Sequence, residues 1–151
     1  MLSPQIVHYC KYQERCHSEI RNKLYELGFT SVSVEEQISL LIQADLLNEE
    51  RFARAYARGK WRMKQWGKQK IVHQLRLKKI SEYCIRKGLT EIDGVEYDTV
   101  LEELATKKAT ELRSEKNIFT KKGKMYRYLT QKGFENDLIQ QVIAKITEKK
   151  K

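Results

Sequence analysis

Proline occurs once in 151 residues, cysteine three times, and the seven glycines stand singly rather than in a run. Each shortage removes a class of protein. Isolated glycines leave no Gly-rich loop to cradle a phosphate, and there is no Gly-x-Ser-x-Gly elbow for a serine nucleophile. The odd count of cysteines (Cys10, Cys16, Cys84) makes no paired disulfide framework and suits a reducing compartment. No run approaches the ~18 apolar residues of a membrane span. The opening stretch MLSPQIVHYCKYQERC lacks the apolar core of a secretory signal. His8, His17 and His73 have no metalloprotease spacing, and His8, Cys10, Cys16 and His17 match no common zinc finger. Cys10 and Cys84 therefore read as small core residues. Neighbouring carboxylates such as Glu49/Glu50 and Glu102/Glu103 read as partners of helix dipoles, not as an acid–base pair. The expectation is a cytoplasmic protein that binds and does not catalyse, with no metal, no cofactor and no membrane contact.

Acid is missing from one place above all. Lys plus Arg is 30 against 20 Asp plus Glu, a net charge of +10. Between Arg51 and Lys79 there are eleven basic residues and no acidic one, so this window alone carries +11. An acidic stretch from Glu91 to Glu103 follows, and then a second basic segment from Lys107 to Arg127. Self-repulsion of this size is relieved by a polyanion or an acidic protein, which makes an anionic partner the expectation.

With little β-branched alternation, helical spacing dominates and the chain reads as all-α. Ser3 before Pro4 marks a helix start. Ser33-x-x-Glu36 has capping-box spacing, and Asn48 precedes two carboxylates at a third start. Ser81 caps a short helix through Ile85, and Asn136 with Asp137 opens another. Ile92-Asp93-Gly94-Val95 reads as a turn between helices.

A repeat runs through these elements. Gly28, Lys79 and Gly133 are each followed by an apolar residue (Phe29, Ile80, Phe134) and preceded, four and eight residues back, by Leu24/Ile20, Leu75/Ile71 and Leu129/Met125. Such an anchor ends a helix in a left-handed residue, so contacts are expected for Leu24–Phe29, Leu75–Ile80 and Leu129–Phe134. Lys79 would bear roughly 1 kcal/mol of strain in that conformation. A third helix then carries Ile38, Leu41 and Ile42; Ile85 and Leu89; or Ile139, Val142 and Ile143. A longer helix precedes each anchor helix, roughly over 4–15, 49–65 and 98–115. Three tandem three-helix repeats result, over 1–47, 48–92 (the basic one) and 93–151.

Within the basic repeat, Arg51, Arg54, Arg58 and Arg62 fall in a stripe about 80° wide on a helix. Phe52, Tyr56, Gly59 and Met63 lie on another face and would be buried. Arginine forks suit phosphates and carboxylates. Trp61 and Trp66 would either stack on bases or pack in the core or at a repeat junction.

Three segments resemble the RecX family. The first is Arg15-Cys16-x-x-Glu19-Ile20-Arg21-x-Lys23-Leu24. The second is Leu46-Leu47-Asn48-Glu49-Glu50-Arg51-Phe52-Ala53-Arg54-Ala55-Tyr56, leading to Trp66-Gly67-Lys68 and Ile71-x-x-x-Leu75. The third is Tyr128-Leu129-x-x-Lys132-Gly133-Phe134 with Asp137-x-Ile139. Cys16, Asn48 and Lys79 stand where the family commonly has Ser, Asp and Gly. The resemblance implies that the three repeats form an elongated, curved molecule, a regulator that binds RecA and the RecA–single-stranded DNA filament; a monomer is expected. It would inhibit recombinase, ATPase and coprotease activities, with weak direct DNA binding of its own. A general DNA- or RNA-binding helical module is the alternative. The residues expected to meet the filament or nucleic acid are Arg51, Arg54, Arg58, Arg62, Lys64, Lys68 and Lys70, with Lys121, Lys122, Lys124 and Arg127 from the second basic segment.

Overall fold

A computed structural model describes residues 1–148. Among them are nine helices and no strand: α1 (Pro4–Tyr12), α2 (His17–Glu26), α3 (Ser31–Gln43), α4 (Glu49–Lys64), α5 (Lys68–Leu77), α6 (Glu82–Leu89), α7 (Gly94–Glu111), α8 (Ile118–Lys132) and α9 (Asn136–Glu148). No helix among the described residues is long and apolar enough to cross a membrane.

The helix ends follow the anchor pattern. Gly28, Lys79 and Gly133 all have positive φ, at 94°, 63° and 100°. At each, the next amide reaches back over the whole turn: Phe29 N–H to Leu24 O at 3.0 Å, Ile80 to Leu75 at 3.1 Å, and Phe134 to Leu129 at 3.2 Å. The anchor's own amide bonds Tyr25, Arg76 or Thr130. These are complete Schellman turns, which satisfy carbonyls that a helix end otherwise leaves orphaned. The apolar positions four and eight residues back (Leu24, Ile20, Leu75, Ile71, Leu129, Met125) are all fully buried. Asp45, at φ 58°, makes a fourth such turn, with Leu46 N–H on Leu41 O at 2.9 Å; no glycine marks it in the sequence.

The starts hold two corrections. The α3 cap is Thr30, whose hydroxyl accepts from the Ser33 amide, so Ser33 supplies the donor instead of the cap. Ser3 sits at the N-cap of α1 without a side-chain bond; its amide donates to Gln37 Oε1 at 3.0 Å. Asn48, Ser81 and Asp93 cap as their chemistry predicts, accepting from Arg51, Cys84 and Glu96 amides. The Asp93-Gly94 pair thus opens α7. The short helix from Ser81 continues past Ile85 to Leu89. Glu102 and Glu103 lie in the middle of α7, away from its dipole.

The described chain forms two compact units. One comprises residues 1–58 and 74–91; the other comprises 59–73 and 92 onward. In the first, Ile6, Cys10, Ile20, Leu24, Val34, Ile38, Leu41 and Leu47 form a cluster, while Ile42 is half exposed and takes no part. The buried line of α3 instead begins one turn earlier, at Val34. Gly88 in α6 lies against α4, where an added Cβ would come 2.7 Å from the Ala53 carbonyl oxygen. In the second unit, Trp61, Tyr97 and Phe134 meet at 5.1–6.5 Å between ring centroids.

Three substitutions separate conformation from packing. Lys79→Gly should stabilise by about 0.5–1 kcal/mol by relieving a positive φ. Gly28→Ala should cost about 1 kcal/mol through φ alone, since nothing lies within 4 Å of the new Cβ. Gly133→Ala should cost clearly more, because its Cβ would meet Lys70 Cβ at 2.3 Å. Urea unfolding midpoints check the order; equal losses for the two alanines would contradict it.

Candidate nucleic-acid and filament interface

Helix α4 carries the first basic residues, and its faces differ from the sequence expectation. Phe52 is buried as expected, but Met63 is 85% exposed, and Tyr56 and Gly59 are only partly covered. The inward line is Ala53, Ala57 and Trp61, spaced by four. At Ala53 a small side chain suits the close approach of Gly88 in α6.

In the first unit the arginine stripe is met by carboxylates. Arg51 bonds Glu14 through Nε at 2.8 Å and Asp45 through Nη1 at 3.0 Å. Arg54 bonds Glu50 at 3.0 Å and Glu91 at 2.9 Å, and donates to Thr90 Oγ1 at 3.2 Å. Arg58 bonds the other oxygen of Glu91 at 2.7 Å. Arg76 pairs with Glu82 and Lys78 with Glu19. Every one of these acids lies outside the acid-free window except in space. Part of the expected self-repulsion is therefore answered from within the chain. Each such half-exposed pair contributes at most about 1 kcal/mol, so the chief effect is on charge.

The second unit treats its cations differently. Arg62 and Lys64 are exposed, and neither they nor Lys68 and Lys70 make an ion pair among the described residues. The Lys68 amide donates to the Tyr97 hydroxyl at 2.9 Å, and its ammonium sits 4.8 Å from the Tyr97 ring centre. Trp66 is half-buried, with the ammonium groups of Lys70 and Lys60 at 4.6 and 5.0 Å from its ring. Lys70 also reaches Gln131 O at 3.4 Å, and Lys132 donates to Lys64 O at 2.7 Å. Burial, and then the charge of Lys70, hold the Lys132 ammonium below the usual lysine pKa. Trp61 is core: it is 3% exposed, and its Nε1 donates to Glu96 Oε1 at 3.1 Å. It is not available to bases.

The second basic segment is mixed. Lys121 is 7% exposed, which corrects its place among surface contacts. It precedes Met125 and Leu129 by four and eight residues and so shares their inward face. Lys122 is half-buried, Lys124 pairs with Glu115 at 3.5 Å, and Arg127 is exposed. Sequence spacing missed Glu91, whose two oxygens are shared by two arginines, and Lys132, whose ammonium donates to Lys64 O and feels the charge of Lys70. Cys10 and Cys16 are buried, and no group of three His, Cys, Asp or Glu side chains disposed to hold a metal occurs among the described residues.

Comparison with known proteins supplies the context. Residues 48–89 match the second three-helix domain of RecX and residues 96–143 match the third. A Regulatory protein RecX of Pelodictyon phaeoclathratiforme is 32% identical over 131 residues, covering 85% of this chain and 79% of that protein. One from Clostridium perfringens is 29% identical over 134 residues; the match covers 88% of this chain but only 62% of the relative's length. The crystal structure of RecX from Lactobacillus salivarius superimposes with a TM-score of 0.83 at 26% identity, covering 95% of this chain and 92% of that one.

The shared acid gives a pH signature. Arg58 and then Arg54 hold the Glu91 carboxyl below its ordinary value of 4.5. A depressed carboxyl stabilises the fold above its unfolded pKa and loses that contribution as pH falls through the folded value. The urea midpoint of the wild type should therefore drop below about pH 4.5. Glu91→Gln should start lower at neutral pH, fall less, and converge with the wild type in acid. Parallel curves would show that Glu91 does not contribute.

Proposed function

The chain belongs to the RecX family, and from that premise we propose that it binds RecA and the RecA–single-stranded DNA filament and holds down the filament's recombinase, ATPase and coprotease activities. It acts by binding, as a monomer in the cytoplasm, and so influences DNA repair and recombination. One observation carries this reading: the acid-free window from Arg51 to Lys79 lies wholly inside the stretch matching the second RecX domain. A filament coated with DNA phosphates and protein carboxylates offers the anionic surface that such a window requires.

On this reading the contact lies at cations that make no ion pair among the described residues. Arg62 and Lys64 at the end of α4 lead, with Lys68 and Lys70 on α5. Arg51, Arg54 and Arg58 hold their neighbours in place; reversing their charge would set new carboxylates beside Glu14, Glu50 and Glu91.

Inhibition of RecA ATP hydrolysis on single-stranded DNA, with filament co-sedimentation, tests the reading. Isolated exposed changes usually stay within about 0.5 kcal/mol of neutral, so Arg62→Glu with Lys64→Glu should keep wild-type helicity. The double variant should need at least about tenfold more protein for half-inhibition, the equivalent of roughly 1.4 kcal/mol of lost binding. A folded variant inhibiting at wild-type concentrations would remove this end of α4 from the contact. Wild-type protein that binds DNA but ignores the filament would favour the general nucleic-acid module.

A further inference from the structure

We propose that Glu91 is a built-in occupant of an anion site formed by Arg54 and Arg58, and that an acidic segment of a partner protein binds by taking its place. Which protein supplies that segment rests on the filament reading; the exchange itself does not.

The site is assembled by backbone packing within the first unit. Gly88, near the end of α6, lies so close to α4 that an added Cβ would come 2.7 Å from the Ala53 carbonyl oxygen. The chain then turns: the Glu91 amide donates to Gly88 O at 3.1 Å, and the Thr90 amide and hydroxyl both donate to Lys87 O. Glu91 is thereby set beside Arg54 and Arg58 of α4. These partners stand 37 and 33 residues away in the chain, so tertiary packing brings the three side chains together.

The carboxylate sits as a ligand sits in a clamp. Each Glu91 oxygen accepts from a different arginine, Oε2 from Arg54 Nη1 at 2.9 Å and Oε1 from Arg58 Nη1 at 2.7 Å. Arg54 also donates through Nε to Glu50 at 3.0 Å and through Nη1 to Thr90 Oγ1 at 3.2 Å. The clamp is nevertheless open to solvent. The Arg54 and Arg58 side chains are 33% and 41% exposed, against 24% for Glu91. Ion pairs this exposed are weak enough to exchange.

The occupant decides what can enter. Planar guanidinium forks match carboxylates, and the groups they hold here, Glu50 and Glu91, are carboxylates. A tethered side chain competes at an effective concentration on the order of millimolar, so a dilute single carboxylate is kept out. A segment with several carboxylates can meet both forks at once and displace it. The apparent affinity for such a segment falls with the fraction of time the forks are filled from within. Glu91 therefore acts as a restraint on binding as well as a staple between α4 and the end of α6.

Titration with fluorescently labelled polyglutamate, in the absence of RecA, tests the exchange. Glu91→Gln keeps the shape and removes the charge, so it should bind about fivefold tighter, the gain expected from losing one competing exposed pair. Glu103→Gln removes the same charge from an exposed position in α7 and should bind as wild type at physiological salt, where distant charges are screened. Adding Arg54→Gln and Arg58→Gln to Glu91→Gln should abolish the gain. A second readout needs no variant: in wild type carrying isotope-labelled glutamate, saturating unlabelled polyglutamate should shift the Glu91 carboxyl signal. If Glu91→Gln does not fold, that signal decides. A gain no larger than that of Glu103→Gln, a gain that survives loss of both arginines, an unmoved Glu91 signal, or no binding of polyglutamate at all would overturn the proposal. So would tightening toward inorganic polyphosphate without tightening toward polyglutamate, which would make the site one for phosphates. A failed exchange leaves the filament reading standing, and a wild type that ignores the filament can still show the exchange.

Discussion

A helix can reverse direction within two residues only where one of them accepts a positive φ, and the ends at Gly28, Lys79 and Gly133 are built this way. The consequences are largest at Gly133. Its turn satisfies the last carbonyls of α8 locally while leaving Lys132 O and Gly133 O to accept from Gly67 and Gln69. The first amides of α5 are donors that no earlier turn can satisfy, and here another helix's end does what a capping side chain does elsewhere. Glycine is required on both sides of that contact, since a methyl group on either would clash with backbone or with Lys70 Cβ. The placement of Trp66, Lys70 and Lys132 depends on it.

Charge is sorted by side-chain chemistry as well as by position. The α4 arginines of the first unit, Arg51, Arg54 and Arg58, each face a carboxylate, and Glu91 serves two at once. A planar fork loses little on fixing a bidentate partner, so these pairs set geometry even where exposure limits their energy. The lysines near Trp66 instead meet carbonyl oxygens and aromatic rings, which orient a cation and leave its charge in place. A single count of basic residues treats both groups alike. Their availability to an anion differs greatly.

The parts legible in the sequence are those fixed by local rules. Positive φ at Gly28 and Gly133 follows from glycine at a helix end, and at Lys79 it follows from register with the other two copies. The buried leucines four residues earlier follow from helical periodicity. What sequence spacing misplaced was decided by distant neighbours. Met63 is on the solvent side while Ala53, Ala57 and Trp61 take the buried line, and at Ala53 the close approach of Gly88 favours a small side chain. Lys121 lies inward because its helical register with Met125 and Leu129 outweighs its charge. Glu91 could have been suspected only from the acidic stretch that follows the basic one, and its two arginine partners lie 33 and 37 residues away.

The basic surface of α5 is also shaped from beneath. Tyr97 packs at a tilt between Trp61 and Phe134, and its hydroxyl accepts the Lys68 amide while donating to Glu135. Burial and that carboxylate push the phenol's pKa well above its ordinary value, so it remains a neutral donor. One buried side chain thus ties the first residue of α5 to α7 and to the segment before α9. The lysines that follow inherit their positions from this phenol and from the Gly67–Gly133 contact. Had ion pairs supplied that order, the ordering groups would have cancelled the charge they placed. Backbone and aromatic supports avoid the conflict: a cation can be held in register and still meet an incoming anion at full charge.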